Sequence, residues 1–254
     1  METWRTAIVE ASADSIRVRG YDIADLMRGA SFADLIFLLH RGRLPAAGES
    51  ALLNAILVSA ADHGPGAPSC ATARLAASGN RESLSAAVAA GVLAIGNEHG
   101  GAGAAAMEMI AAGVALAGRE GLSLAAVAER TVAEARAAGR RLPGLGHRVH
   151  RTDPRTQVLF DMAAEKGVAG AGVEFFTALQ AAAGRLIGPL PINIDGALAA
   201  VLHDLGFPPE AGKLIFIIAR VAGLTAEVAE EHAREKPMRI RIPVSYDGPP
   251  PRSL

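Results

Sequence analysis

Between residues 208 and 235 the chain carries the run Leu214-Ile215-Phe216-Ile217-Ile218-Ala219-Arg220-Val221-Ala222-Gly223-Leu224, apolar around a whole helix circumference except at Arg220. A helix of that kind is buried, so other elements must enclose it. Composition suggests which. Half of the residues are hydrophobic, yet only 4% are aromatic, and Ala and Gly are abundant. Small side chains favour closely approaching helices over a sheet. A guanidinium inside such a core is costly unless it meets an anion. Arg220 therefore calls for an internal carboxylate or for the carboxylate of a ligand.

The remaining pattern agrees with an all-α fold. Trp4 to Val9 and Ser15 to Arg19 alternate about an Asp14 turn, which predicts one short N-terminal β-hairpin. Helices are expected near 22–29, from the Ser31 cap to about Arg41 (stopped by Gly42 and Pro45), and over 47–61, 81–96, 103–118, 122–139, 153–166, 172–187, 197–205 and 208–235. With 254 residues the chain has room for one large domain or two modest ones. The 25 Lys+Arg against 26 Asp+Glu give no basic excess for nucleic acid and no polybasic face for a membrane. No apolar stretch is long enough to span a bilayer. A single cysteine, Cys70, fits a reducing compartment, and a cytoplasmic location with no signal peptide is expected.

Chemistry concentrates in residues 142–155, Leu-Pro-Gly-Leu-Gly-His-Arg-Val-His-Arg-Thr-Asp-Pro-Arg. Gly144 and Gly146 permit close backbone approach to a ligand. His147, Arg148, His150, Arg151 and Arg155 follow, with Asp153 as a helix cap and Pro154 at the first helical position. The cluster reads either as a solvated basic turn or as a site for an anionic ligand. Gly144-x-Gly146 lacks the third glycine and the downstream acid of a dinucleotide site. His147, His150 and Asp153 lack a helical metal-binding spacing, so no metal is expected. Elsewhere His63 stands at a helix end, as a dipole partner or a ligand, and His99 in Gly96-Asn97-Glu98-His99-Gly100-Gly101-Ala102. Asp195 precedes an apolar helix, as its cap or as a reactive carboxylate.

These segments together resemble the citrate synthase superfamily. Gly144 to Arg155 is similar to its Gly-x-Gly-His…Asp-Pro-Arg signature, His99-Gly-Gly-Ala to its His-Gly-Gly-Ala junction, and Asn193-Ile-Asp195-Gly to its catalytic-aspartate segment. Met238 to Gly248 is similar to its Arg-rich ending, with Arg241 or Arg239 at the arginine that acts across a dimer. Only residues 46–62 separate Pro45 from His63, where full-length synthases carry a long helical insert. In this the chain resembles the short citryl-CoA lyases and the C-terminal lyase module of ATP-citrate lyase.

The resemblance implies a two-domain helical fold, with a large domain (1–100 plus 205–254) and a small domain (101–204). It implies His99, His147 and Asp195 as catalytic residues, and His63, Arg155, Arg220 and Arg241 on substrate carboxylates or carbonyl. Gly144, Gly146, Arg148 and Arg151 would lie near coenzyme A. The implied reaction is cleavage of citryl-CoA to acetyl-CoA and oxaloacetate by retro-Claisen chemistry, with the CoA thioester as substrate and no permanently bound cofactor. Alternatives are a citrate or 2-methylcitrate synthase, and a non-catalytic CoA-binding partner of a citryl-CoA synthetase. A homodimer or dimer of dimers is implied, and a separate citryl-CoA synthetase is a further partner to expect.

Overall fold

A computed structural model describes residues 3–146 and 153–253. Among these residues the chain is helical apart from one small antiparallel sheet. The sheet, ordered β1-β2-β3, consists of β1 (Val9–Ala11), β2 (Ile16–Val18) and β3 (Tyr21–Asp22), with Val9 opposite Val18 and Val18 opposite Tyr21. The third strand was not expected. Arg19 and Gly20 both have positive φ (50° and 88°), a tight reversal that returns the chain onto β2.

Helices α1 (Ile23–Gly29) and α2 (Phe32–Arg41) follow. Ser31 caps α2 by accepting from Asp34 N, Asp34 answers on Ser31 N, and Gly42 in the left-handed region ends it. Helix α3 (Ala47–Ala60) makes up most of the short connection to His63. Then come α4 (Pro68–Gly79), α5 (Leu84–Leu93), α6 (Ala102–Glu120), α7 (Leu124–Ala137), α8 (Pro154–Glu165), α9 (Ala171–Leu186), α10 (Ile194–Asp204) and α11 (Ala211–Arg234).

Helix α4 is the one not anticipated. It buries Ser69, Cys70, Ala73, Ala77 and Ser78, side chains too small or polar to show a hydrophobic period. Helices α3, α4, α5 and α6 surround α11, which buries Ile215, Phe216, Ala219, Arg220 and Leu224. Helices α6, α8 and α9 enclose α10, whose residues Gly196 to Leu202 are all buried. Helix α10 begins at Ile194, ahead of the expected Ala197, because Asn193 is its cap and accepts from Gly196 N. Asp195 is therefore released from the capping role and sits inside the first turn.

Candidate active site

Two arginines from distant parts of the sequence meet the end of α3. Arg220, 3% exposed, donates Nε and Nη2 to the Ala60 carbonyl at 3.2 and 3.1 Å. Arg155 donates Nη1 to the preceding carbonyl, Ser59 O, at 3.3 Å. The C-terminal end of a helix carries partial negative charge and unpaired carbonyls, so it suits guanidinium groups. Arg220 also packs its charge over the Phe216 ring at 4.9 Å. Among the described residues no carboxylate lies within ion-pair distance of Arg220, so the internal-carboxylate alternative finds no partner among them. Arg155 differs: its Nε and Nη2 fork onto Asp153 at 2.9 and 2.8 Å, and Asp153 in turn caps α8 on Arg155 N. A ligand would use the donors of Arg155 that this fork leaves over.

His99 is tied to the same arginine through Ser69. The Ser69 backbone N–H donates to His99 Nε2 at 3.3 Å, and the Ser69 hydroxyl lies 2.9 Å from that nitrogen. Arg220 Nη1 donates to Ser69 Oγ at 3.3 Å. A backbone N–H can only donate, so Nε2 is an acceptor and the ring's proton resides on Nδ1. Burial lowers the pKa of His99, and the charges of Arg220 and His63 push the same way. The ring is thus a neutral imidazole offering Nδ1–H. It lies in the 96–100 turn, closed by Gly96 N on His99 O at 2.9 Å, just before α6.

Asp195 faces the same charges from α10. Burial raises its carboxyl above the usual range, Arg155 and Arg220 oppose that, Asp153 adds to it, and His63 opposes it. A carboxyl held high by burial can carry a proton nearer to neutral pH, as a general acid or base must. The glycine-rich loop holds this turn in place. Asn193 N donates to Gly144 O at 3.0 Å, Gly146 N to Pro191 O at 2.7 Å and Asn193 Nδ2 to Gly146 O at 2.8 Å. Gly144 has φ +81°, and a Cβ there would sit 2.6 Å from Gly196 Cα. The loop and the Asp195 turn approach so closely that only two glycines fit.

His63, exposed, lies three residues beyond α3 and contributes to the field at both His99 and Asp195. His147, Arg148, His150 and Arg151 lie outside the described residues. Arg239 donates to Glu231 at 2.9 and 2.6 Å and forms an ion pair with Glu235 at 3.0 Å, which ties it to α11. Arg241, two residues on, is exposed and makes no such contact with the described residues of its own chain. Ser69 and the Ser59 and Ala60 carbonyls were missed by motif reading. Cys70 is fully buried and donates to Asp62 at 3.1 Å; burial pushes its thiol up, which argues against a thiolate nucleophile. Asp62, Cys70 and Glu227 are close enough to share an ion, but Glu227 is already paired with Arg74.

The chain matches the model of the citrate synthase C-terminal domain over residues 47–241. A citryl-CoA lyase from Hydrogenobacter thermophilus is 40% identical, with TM-score 0.91, over 100% of this chain and 98% of that one. An ATP citrate lyase from Methanosaeta concilii in complex with (3S)-citryl-CoA has TM-score 0.79 at 21% identity, which bears on fold alone; 98% of this chain aligns with 42% of it. A 2-methylcitrate synthase from Shewanella oneidensis is 29% identical over 247 residues, 96% of this chain and 61% of that protein. The chain thus spans about three fifths of that relative's length. On its fold, its matched segments and the cluster they build, the chain belongs to the citrate synthase family.

Proposed function

We propose that the protein is a citryl-CoA lyase, releasing acetyl-CoA and oxaloacetate. The observation that carries this reading is the 40% identity and 0.91 TM-score with the Hydrogenobacter lyase, higher in identity than the 29% shared with the synthase. The short 46–62 connection, built mainly from α3, points the same way.

In this reading Arg220 and Arg155 grip substrate carboxylates, because a guanidinium fork matches a carboxylate. Arg241 of a second copy completes the clamp, and His63 holds the oxaloacetate portion. His147 takes the proton of the tertiary hydroxyl as the carbon–carbon bond breaks. The electron pair of that bond passes to the acetyl thioester as an enolate, whose oxygen accepts from His99 Nδ1–H. Asp195, its carboxyl protonated, gives the enolate carbon its proton. Gly144, Gly146, Arg148 and Arg151 border the CoA. Oxaloacetate and the CoA thioester are the small-molecule partners, with a separate citryl-CoA synthetase as the supplier of substrate.

Residues 101–204 are assigned to a small domain and 1–100 with 205–254 to a large one. The packing of α7 on α9 and of α6, α8 and α9 on α10, and that of α3, α4 and α5 on α11, supports this division, while α6 against α11 and α3 against α8 join the two parts. Helix α5 supports a homodimer. It carries no charged residue and is apolar apart from Ser85, yet Leu84 and Leu93 are 59% and 84% exposed.

The test is incubation with (3S)-citryl-CoA, following oxaloacetate through malate dehydrogenase and NADH, beside acetyl-CoA plus oxaloacetate with free thiol monitored. The lyase gives NADH oxidation in the first assay and no thiol in the second. Asp195→Asn abolishes the activity while leaving the folded spectrum intact. Thiol release in the second assay would instead mean a synthase, the activity named for the Shewanella relative. Silence in both would favour a binding module.

A further inference from the structure

The turn from α3 to α4 holds a carboxylate that the mechanism leaves unused, that of Asp62. The two ends of the turn are anchored. Arg155 and Arg220 donate to the last α3 carbonyls, and Ser69 at the start of α4 bonds to His99. Between them stands His63, exposed, whose side chain makes no hydrogen bond to the described residues. The place of its imidazole is therefore set by its own backbone, residues 62–64, which belong to neither helix.

Asp62 braces that backbone. Its Oδ2 accepts from Gly64 N at 3.2 Å, across His63, and Gly64 takes φ +76° with its carbonyl accepting from Ala67 N at 3.1 Å. Its Oδ1 accepts from Cys70 Sγ at 3.1 Å, and Cys70 is fully buried on α4. Helix α11 backs the turn at Gly223, where a Cβ would overlap the Ala61 carbonyl oxygen and lie 2.9 Å from Asp62 Cβ. Burial alone would raise the Asp62 carboxyl, but the Cys70 thiol, the Gly64 and His63 N–H groups and the Arg220 charge hold it below its ordinary value. It stays ionised, with both oxygens as acceptors. Asp62 thus leans on α4 and α11, while the charge of its neighbour His63 is felt at His99 and Asp195.

We infer that Asp62 is the positioning residue of His63, and that the Cys70 thiol is the donor that keeps Asp62 in place. The inference rests on the reading in which His63 holds the oxaloacetate portion. Asp62 touches no reacting atom in this account; it acts through the neighbouring imidazole. A group displaced by about 1 Å loses on the order of 100-fold in rate, so a brace on an otherwise unheld histidine is worth having.

The test follows the His63 ring resonances, identified by their loss in His63→Ala, by NMR of the full-length protein. Oxaloacetate affinity by calorimetry and kcat/KM for citryl-CoA are measured beside them. Asp62→Ala should move the ring resonances and weaken both oxaloacetate binding and kcat/KM by about 10- to 100-fold. Asp62→Asn, whose Oδ1 still accepts from Gly64 N, should keep the ring near its native place and recover most of that loss. In a His63→Ala background Asp62→Ala should cost less than about 2-fold more, because residues acting as one unit are not additive. If Asp62→Ala does not fold, the Cys70 pair decides: Cys70→Ala should move the ring and Cys70→Ser, which restores a donor, should return it. A ring unmoved in Asp62→Ala or Cys70→Ala overturns the assignment, as does a further ~10-fold loss in the His63→Ala background. A ring that moves as expected in a protein that neither cleaves citryl-CoA nor binds oxaloacetate sinks the proposed function and leaves the assignment standing.

Discussion

Replacing Arg220 by Met separates what the guanidinium does for the fold from what it does for the ligand. Methionine fills similar volume, so the cavity term is small. Lost are the hydrogen bonds to Ala60 O and Ser69 Oγ, together with a buried charge that has no carboxylate beside it among the described residues. Met removes the desolvation cost of a buried charge but leaves Ala60 O without its donor, at about 1–3 kcal/mol, so the two effects oppose and the thermal midpoint of the unliganded protein should change little. Binding tells the opposite story. Removing one member of a desolvated, hydrogen-bonded charge pair costs about 3–5 kcal/mol, or roughly 150- to 5,000-fold in kcat/KM for citryl-CoA at about 1.36 kcal/mol per decade.

Two pH effects accompany that loss. Arg220 lowers His99 and also lowers Asp195, so both pKa values should rise in the variant. His99 must be neutral for Nε2 to accept from the Ser69 N–H, the bond that orients its Nδ1–H, so the acid limb of the rate profile moves to higher pH. The assay is kcat/KM against pH by the coupled NADH readout, with the His99 ring followed by NMR. A large drop in thermal midpoint with less than tenfold loss of kcat/KM would show that Arg220 is a structural residue, and the argument from its missing partner would be wrong.

Three further outcomes are expected. Ser69→Ala removes the hydroxyl shared by His99 and Arg220 but keeps the backbone N–H on Nε2, so kcat/KM falls about 2- to 12-fold, for ~0.5–1.5 kcal/mol, with the Nδ1–H tautomer unchanged by 15N NMR. A change of tautomer would show that the backbone bond does not set it. Gly144→Ala meets both a positive φ and the Gly196 backbone, and denaturant melts should show at least ~2 kcal/mol lost; an unchanged midpoint would mean the loop sits farther from α10. Glu231 provides an acid-sensitive anchor. Burial alone would raise its pKa, but Arg239 and Arg74 hold it below its ordinary 4.5. Its stabilisation is therefore present above pH 4.5 and is lost as pH falls through the lower folded value. Acid titration of the intact protein should free the 240–253 segment to proteolysis, and Glu231→Gln should free it already at neutral pH.

How much of this was legible in the sequence varies with the kind of signal. Caps and stops transmitted well: Ser31, Gly42 and Asp153-Pro154 each act as their residue types suggest. The buried α11 was readable because its apolar character runs around the whole helix. Helix α4 was not, since it packs through Ser, Cys and Ala, whose burial leaves no hydrophobic stripe. Asp195 was ambiguous because Asn193 and Asp195 are both cap-forming types, and only the backbone shows which one turns into the helix. Ser69 gave no warning. Its value comes from standing opposite His99, thirty positions along the chain, and next to Arg220, which no local pattern reports.

The two carbonyls at the end of α3 have a mechanical meaning. Arg155 belongs to the segment assigned to the small domain and Arg220 to the large one, yet both hang from adjacent peptide units of one helix. On the proposed domain division, the bond from Arg155 to Ser59 would be a tether between the two parts. A rotation that lifts α8 from α3 must break it, and a rotation that brings α8 down re-forms it beside Arg220. On that reading the helix end would serve as a latch plate, since ligand carboxylates would meet Arg155 and Arg220 together only with α8 resting on α3.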